Sequence, residues 1–435
     1  MSKIFLPLIL TLFYACNETE NKTQNAANES AQLNAVAVKY VRLGLSVGEY
    51  DKDFVDAYYG PDSLKPNSTA GTIFPKDSFL AAVDNLANEL KKFSTSTNDT
   101  IAKRALWMSS QVKAFETRIK VYGGDSASFE NETKDLYGVT VPVYDSNHFK
   151  KLISSLDHLL KGKGSVNDRF QQLAANFIIP PDKLDTVLKA SLTECRKRTL
   201  QHYQLPAGEN FTLEYVTNKP WSGYNWYKGK YKSVIQINTD IKILIDRVID
   251  VGGHESYPGH HVYNMLQEKN LYRDKGWVET TLYPLYSPQS VIAEGTANFG
   301  IALAFPGDEK INLAKNVLLP LAGLDTTGIF IYFKALELKD ELNYARNEAC
   351  RGLLNKTMTE PQAQYWLENF ALMSKEAAKK AINFIRDNRS YLITYNYGKD
   401  LVKNYVISKA GNDTSKQREL LSWLMSNQVR PADLK

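Results

Sequence analysis

Cysteine is scarce, with Cys16, Cys195 and Cys350 the only three in 435 residues. That excludes a disulfide-dense scaffold and the structural zinc modules built from paired cysteines. A dominant charge is missing too: 53 Lys and Arg stand against 48 Asp and Glu, for a formal net charge of +5. Basic residues are interleaved with acidic ones rather than gathered into a patch, which argues against a nucleic-acid partner. Beyond the first residues no apolar run is long enough to cross a bilayer, and no fixed-period repeat interrupts residues 35–435. What remains is an ordinary globular make-up, 43% hydrophobic and 23% charged, with length for a large core.

The start of the chain is different. Lys3 precedes an almost unbroken apolar stretch from Ile4 to Tyr14, closed by Ala15-Cys16. A stretch this short with a basic flank reads as a signal peptide. The small residue before Cys16 marks a lipoprotein processing site, although Phe13 and Tyr14 are bulkier than residues usual there. The sequence therefore predicts residues 1–16 as a lipoprotein signal ending at a lipidated Cys16. Residues 17–34 carry one large apolar residue, Leu33, among Asn, Glu, Thr, Gln and Ala, and are expected to be a disordered tether. The expected localisation is export with a lipid anchor in a bacterial membrane, facing the periplasm or the surface. Cys195 and Cys350 are then free thiols or a pair; spacing does not choose.

Residues 35–435 read as one α-rich domain, with a division into lobes 35–205 and 206–435 left open. Apolar residues recur at helical spacing over Leu33 to Gly48, Phe79 to Phe93, Ala102 to Tyr122, Phe149 to Leu160 and Leu184 to Leu200. Pro180-Pro181 breaks the series. Between Phe211 and Asn238, Thr, Tyr, Trp and Val cluster, and Ser233 to Asn238 alternates as a half-buried strand does, so a small sheet is expected. Helical spacing resumes at Ile241 and runs toward His254. It returns over Ile329 to Leu353 and Ala377 to Ile385, and Thr359-Glu360-Pro361-Gln362 fits a capping box. The predicted fold is mainly α, with a small sheet just before the helix that runs to His254.

Three of the six histidines, His254, His260 and His261, fall within eight residues, next to Glu255. Histidine is a common zinc ligand, and helical metallohydrolases place their general base directly after the first ligand. Their second His normally follows four residues later, but Pro258 stands there. In an unbroken helix at about 1.5 Å per residue, His260 and His261 would lie about 9 and 10.5 Å along the axis from His254. One ion cannot bridge that span. Pro258 and Gly259 together can bulge the helix and bring a later His back by a turn; treating them as an insertion into a His-Glu-x-x-His frame makes His260 the expected second ligand and His261 the less favoured choice. Glu294, an isolated carboxylate in Val291-Ile292-Ala293-Glu294-Gly295, is the expected third ligand, because burying it unpaired would be expensive.

The segment His254-Glu255-Ser256-Tyr257-Pro258-Gly259-His260-His261 resembles the hallmark His-Glu-x-x-Pro-Gly-His-His of the bacterial family labelled domain of unknown function 885. The resemblance extends to Asp56-Ala57-Tyr58-Tyr59-Gly60-Pro61, to Glu294-Gly295, and to Tyr395-Asn396-Tyr397-Gly398, where the family has Tyr-x-x-Gly. Thr296-Ala297-Asn298 departs from the aromatic and aliphatic residues that commonly follow Glu-Gly. The resemblance implies an α-rich cleft fold related to helical zinc peptidases of the gluzincin type and no particular substrate.

One zinc ion on His254, His260 and Glu294, with Glu255 as general base, makes a hydrolase the expected activity, most naturally a peptidase acting on a peptide or other small acyl substrate. Tyr395, Tyr397 and Arg389 are the candidate oxyanion donors by residue type. Val234 to Asn238 is a candidate edge for an extended peptide, and Trp221, Tyr224, Trp226 and Tyr227 are candidate cleft residues. No protein partner is expected. The rival readings are a metal-dependent hydrolase of a non-peptide substrate and a non-catalytic binding lipoprotein that retains the fold.

Overall fold

The computed structural model describes residues 8–67, 71–219 and 221–435, with side chains from residue 26 onward. The first seven residues of the expected signal peptide, and the Cys16 side chain, lie outside that description. Four helices open the chain: α1 (Leu8–Gly48), α2 (Lys76–Lys91), α3 (Asp99–Tyr122) and α4 (Phe129–Tyr137). Leu33, Val36, Ala37, Tyr40 and Val41 of α1 are buried against α2 and α3 in a core of their own. The expected tether is therefore corrected at its C-terminal end. Leu33 is fully buried, Glu29 accepts a hydrogen bond from Ser96 at 2.6 Å, and Asn34 accepts one from Arg104 at 2.6 Å. The apolar spacing that makes α1 amphipathic begins inside the polar segment, and the helix follows it.

Helices α5 (Ser146–Leu159), α6 (Val166–Ala175) and α7 (Leu184–Leu200) come next. Side chains cap their starts where local chemistry allows: Ser165 and Asp168 form a capping box on α6. The Pro180-Pro181 break appears as a single 3-10 turn at Pro181–Lys183.

Two small sheets follow from the β-rich texture. Strand β1 (Val55–Tyr58) pairs antiparallel with β5 (Leu282–Pro284). Strands β2 (Asn210–Val216), β3 (Gly223–Gly229) and β4 (Lys232–Asn238) form a sheet in the order β2-β4-β3, with β2 parallel and β3 antiparallel to β4. The expected peptide-binding edge at Val234 to Asn238 is thus corrected: β4 is the central strand and its backbone is paired on both sides. The outer strands are β2 and β3, and β3 is the one beside the metal helix.

Helices α8 (Ile245–Glu255), α9 (His260–Gln267) and α10 (Pro288–Ala304) lie in the largest core. The C-terminal third adds α11 (Glu309–Leu313), α12 (Leu319–Ala322), α13 (Ile329–Asp340), α14 (Tyr344–Leu354), α15 (Glu360–Phe370), α16 (Lys375–Asn388), α17 (Ile393–Ala410) and α18 (Thr414–Ser426). The predicted capping box at Thr359 and Gln362 opens α15. Cys195 and Cys350 are both buried and both free.

The closest helix crossing, α10 on α17, depends on two glycines. A Cβ on Gly295 would sit 2.4 Å from the Gly398 carbonyl oxygen, nearer than any side chain tolerates. Glu294-Gly295 and Tyr395-x-x-Gly398 therefore meet, and the turn carrying Tyr391 and Tyr395 lies against Glu294.

Candidate metal centre

α8 ends at Glu255 and α9 begins at His260, so the helix does not bulge but stops and restarts. Between them Gly259 folds back onto α8: its amide donates to the Gly253 carbonyl at 3.1 Å, and a Cβ there would lie 1.8 Å from the His254 carbonyl oxygen. This tight return replaces the missing helical turn. The His254 and His260 rings stand 4.5 Å apart, nearly perpendicular.

Glu294 reaches the pair from α10. Its Oε2 is 3.0 Å from His254 Nε2 and its Oε1 is 3.6 Å from His260 Nε2. One ligand atom from each residue lies within 4.8 Å of the others. Two imidazoles and a carboxylate are a donor set found in catalytic zinc sites. Their surroundings point the same way, for His260 Nδ1 is buried without a hydrogen-bond partner and Glu294 Oε2 has only the His254 ring, 3.0 Å away, beside it. An ion among these atoms would satisfy groups that are otherwise costly to bury.

The supporting residues orient the donors. His254 Nδ1 is 3.1 Å from Asn298 Oδ1, and Asn298 in turn donates to the Tyr395 carbonyl at 3.2 Å. A ligand imidazole fixed through its other nitrogen is the usual arrangement around a metal. Asn298 thus has a role at the very stretch that departs from the family pattern. Tyr391 donates its hydroxyl to Glu294 Oε1 at 2.8 Å. The sequence reading missed both residues. Asn298, one turn after Glu294, was within reach of helical spacing, whereas nothing set Tyr391 apart from 24 other tyrosines among the chain's 25.

Charges in the cluster act strongly on one another. Burial drives the Glu294 carboxyl upward, but the His260 and His254 charges reverse this and hold it far below the usual carboxylate range. Burial pushes His260 down, and Glu294, Glu255 and Asp56 together raise it to about 9. Glu255 is raised by burial, against the pull of His254 and His260. Asp56, on β1, is a further acid that sequence reading quoted only as part of a motif. Burial raises it to about 6 despite the hydrogen bond from the Tyr224 hydroxyl.

The other candidates divide. Tyr395 lines the site, its ring 6.4 Å from His254 and its hydroxyl raised by burial and by Glu294 and Glu255. Tyr397 is half-buried and packs against the cores instead. Arg389 is directed away: its guanidinium pairs with Glu132 at 2.6 Å and also donates to the Ala127 carbonyl. It is spent on anchoring α4. His261 also faces away, with Nδ1 2.8 Å from Ser233 Oγ and Nε2 3.1 Å from Glu209. One residue along a helix turns a side chain by about 100°, which is why the two adjacent histidines serve different networks. Of the aromatic cleft candidates, Tyr224 joins the site through Asp56, while Tyr227 donates to Glu268 at 2.5 Å and Trp226 to Gln236 at 2.9 Å.

No family model and no curated protein matches the chain. Among solved structures it superposes on a candidate lipoprotein from Colwellia psychrerythraea with a TM-score of 0.52 at 13% identity, covering 82% of this chain and 65% of that one. The chain spans just under two thirds of that protein, and the likeness shows a common fold. A candidate lipoprotein of unknown function from Shewanella oneidensis gives a TM-score of 0.46 at 12% identity, covering 82% of this chain and 72% of that one. Metallocarboxypeptidase 1 of Trypanosoma cruzi gives 0.36 at 12% identity, covering 91% of each chain. Scores at these last two levels establish no common fold.

Proposed function

We propose that the chain is a zinc-dependent hydrolase, most naturally a peptidase, exported and held at a bacterial membrane through lipid on Cys16. The observation that carries the enzymatic part is the convergence of His254, His260 and Glu294 with Glu255 immediately beside them. When bound there, zinc would lower the pKa of a coordinated water and polarise a substrate carbonyl. His254, held by Asn298, His260 and Glu294, held by Tyr391, would be its ligands.

Glu255 takes a proton from the attacking water. Its carboxyl is already raised by burial, which suits a group that must accept a proton and give it back. As the new C–O bond forms and the C–N bond breaks, the same carboxyl hands that proton to the leaving amine. Tyr395, whose ring lies 6.4 Å from that of His254, would supply the hydroxyl that donates to the developing oxyanion. Asn225 donates to the Glu255 carbonyl at 2.6 Å and ties the base to β3.

Export and anchoring are supported by the apolar start that closes at Ala15-Cys16 and by the likeness to the Colwellia protein, itself a candidate lipoprotein. The motif at residues 254–261, joined in space to Glu294-Gly295 and Tyr395 to Gly398, supports the family resemblance.

Zinc bound per chain is the first measurement. We expect about one ion in the wild type and in His261→Ala, and loss of at least tenfold in affinity in His254→Ala, His260→Ala and Glu294→Ala. Glu255→Gln should keep the ion and lose peptide hydrolysis by about 100-fold or more. Wild-type protein that takes up no zinc would sink the proposal.

A further inference from the structure

The two carboxylate oxygens of Glu294 have different surroundings. Oε1 accepts the Tyr391 hydroxyl at 2.8 Å and stands 3.6 Å from His260 Nε2. Oε2 has only the His254 ring beside it, at 3.0 Å. A phenol keeps its proton at neutral pH, so toward a carboxylate it acts as a donor. One oxygen is thereby committed to Tyr391, and the other is left for an ion.

Tyr391 is not free to follow the carboxylate if it turns. It is buried, and its ring meets those of Tyr137, Tyr286 and Tyr395 edge-on, with centroids 6.4, 5.9 and 5.6 Å away. It lies in the 3-10 turn Arg389–Leu392, whose first two residues are fastened to one fully buried acid. Glu132 of α4 accepts from the Arg389 guanidinium at 2.6 Å, from the Ser390 amide at 3.0 Å and from the Ser390 hydroxyl. Thr394 donates to the Tyr391 carbonyl at 2.8 Å from the other side of the turn. The anchor on α4 thus holds the phenol that holds Glu294, and a donor fixed in this way imposes an orientation on the group it bonds.

The number of oxygens that Glu294 offers decides which ion the site suits. A carboxylate with both oxygens free can grip an ion with the two together, as hard cations favour, whereas one whose second oxygen is held by a fixed donor binds through the first alone. With His254 and His260, a single oxygen makes three protein donors and leaves the fourth corner of a tetrahedron open, a set that suits zinc. A fourth protein donor would fill that corner and favour ions that take more oxygen, such as manganese. Asn298 acts differently: by bonding His254 through its other nitrogen, at 3.1 Å, it sets the direction of a ring and not the number of donors.

Resting on the zinc-hydrolase reading above, we propose that Tyr391 is a positioning residue that restricts Glu294 to ligation through Oε2 alone and so widens the site's preference for zinc over manganese. Its hydroxyl, held by the Glu132 anchor, keeps Oε1 away from the ion. Without that hydroxyl the carboxylate is free to turn and present both oxygens.

The test is the visible absorption of the full chain loaded with cobalt(II), which absorbs far more strongly in four-coordinate than in five- or six-coordinate sites, together with calorimetric binding of zinc and of manganese. Wild type should give the strong spectrum. Tyr391→Phe should give a weak one, bind zinc about tenfold less tightly and bind manganese as well as before or better. Tyr286→Phe, which removes a neighbouring hydroxyl that bonds Asn388 at 3.2 Å, should match wild type in every readout. A weak spectrum in wild type overturns the proposal, as does a Tyr391→Phe variant that keeps the strong spectrum or loses zinc and manganese by the same factor. The phenol would then be a packing residue. If Tyr391→Phe does not fold, Ser390→Ala, which keeps the phenol but loosens its turn, decides instead: an unchanged spectrum overturns the proposal and a weakened one supports it. Zinc uptake by wild type judges the underlying reading separately, since uptake with an unaltered variant spectrum keeps the zinc centre and rejects only the role of Tyr391.

Discussion

At the scale of single residues, adjacent side chains with the same chemistry have separate duties. His260 faces Glu294, while His261 belongs to a buried network in which Glu209 receives hydrogen bonds from His261 and Tyr257 and an ion pair from Arg196. Burial raises the Glu209 carboxyl, but those three donors reverse it and bring the value down to about 2, from an ordinary 4.5. A folded-state value below the unfolded one means a stabilising contribution that is complete above about pH 4.5 and fades as pH falls toward 2. Its size, reduced by the solvent that reaches the Arg196 side of the network, is on the order of 1–3 kcal/mol. Urea unfolding of wild type and Glu209→Gln should therefore differ most at pH 7 and converge between pH 4.5 and 2. A stability gap that stayed constant down to pH 2 would show that the network does not work through this charge. The zinc site should be intact in Glu209→Gln, because no metal ligand is among its partners.

At the scale of elements, close backbone approach decides the geometry. Gly295 on Gly398 lets α10 and α17 cross near enough for Tyr391 to touch Glu294 and for Asn298 to reach His254. Gly295→Ala should push the two helices apart, lowering stability by about 1–3 kcal/mol and weakening zinc binding together with it. Thermal melts with and without zinc would check this: a destabilised variant whose zinc affinity is untouched would mean that the crossing supports the fold but not the site. Gly259 is under a stricter constraint, since a Cβ there would lie 1.8 Å from the His254 carbonyl oxygen, closer than the 2.4 Å at Gly295. Helical periodicity and capping signals revealed most of these elements in advance, including the box at Thr359. They could not reveal that β4 is internal, because a strand's alternation reports which side is buried and says nothing of which strands flank it.

For the whole molecule, the N-terminal helices form a core distinct from the one around the metal centre. The two are joined by buried links such as Arg104 with Glu279, which lies just before β5. Helix α1 belongs to the first core from Leu33 onward. A chain starting at residue 26 should fold and bind zinc as the full chain does. One starting at residue 42 loses Leu33, Val36, Ala37, Tyr40 and Val41, all buried. At about 1.5–3 kcal/mol per large apolar side chain, that exceeds much of the 5–15 kcal/mol stability typical of folded proteins, and the shorter chain should not yield folded monomer. Circular dichroism and gel filtration of both would decide it, and a well-folded shorter chain would show that α1 is dispensable.

From the residues alone came the reading of an exported start, the α-rich class, the histidine cluster and the grouping of His254, His260 and Glu294, because periodicity, composition and donor chemistry are local properties of the chain. The preference for His260 over His261 was also local in origin, resting on Pro258-Gly259 as a two-residue insertion into a His-Glu-x-x-His frame. Only the tertiary structure decided what completes the site. Asn298 and Tyr391 support the ligands, Asp56 adds an acid from more than 190 positions before His254, and Arg389 is consumed by Glu132. Each of these depends on which distant segments the core brings together, and packing of that kind is settled by the shapes of whole helices rather than by any spacing a reader can count.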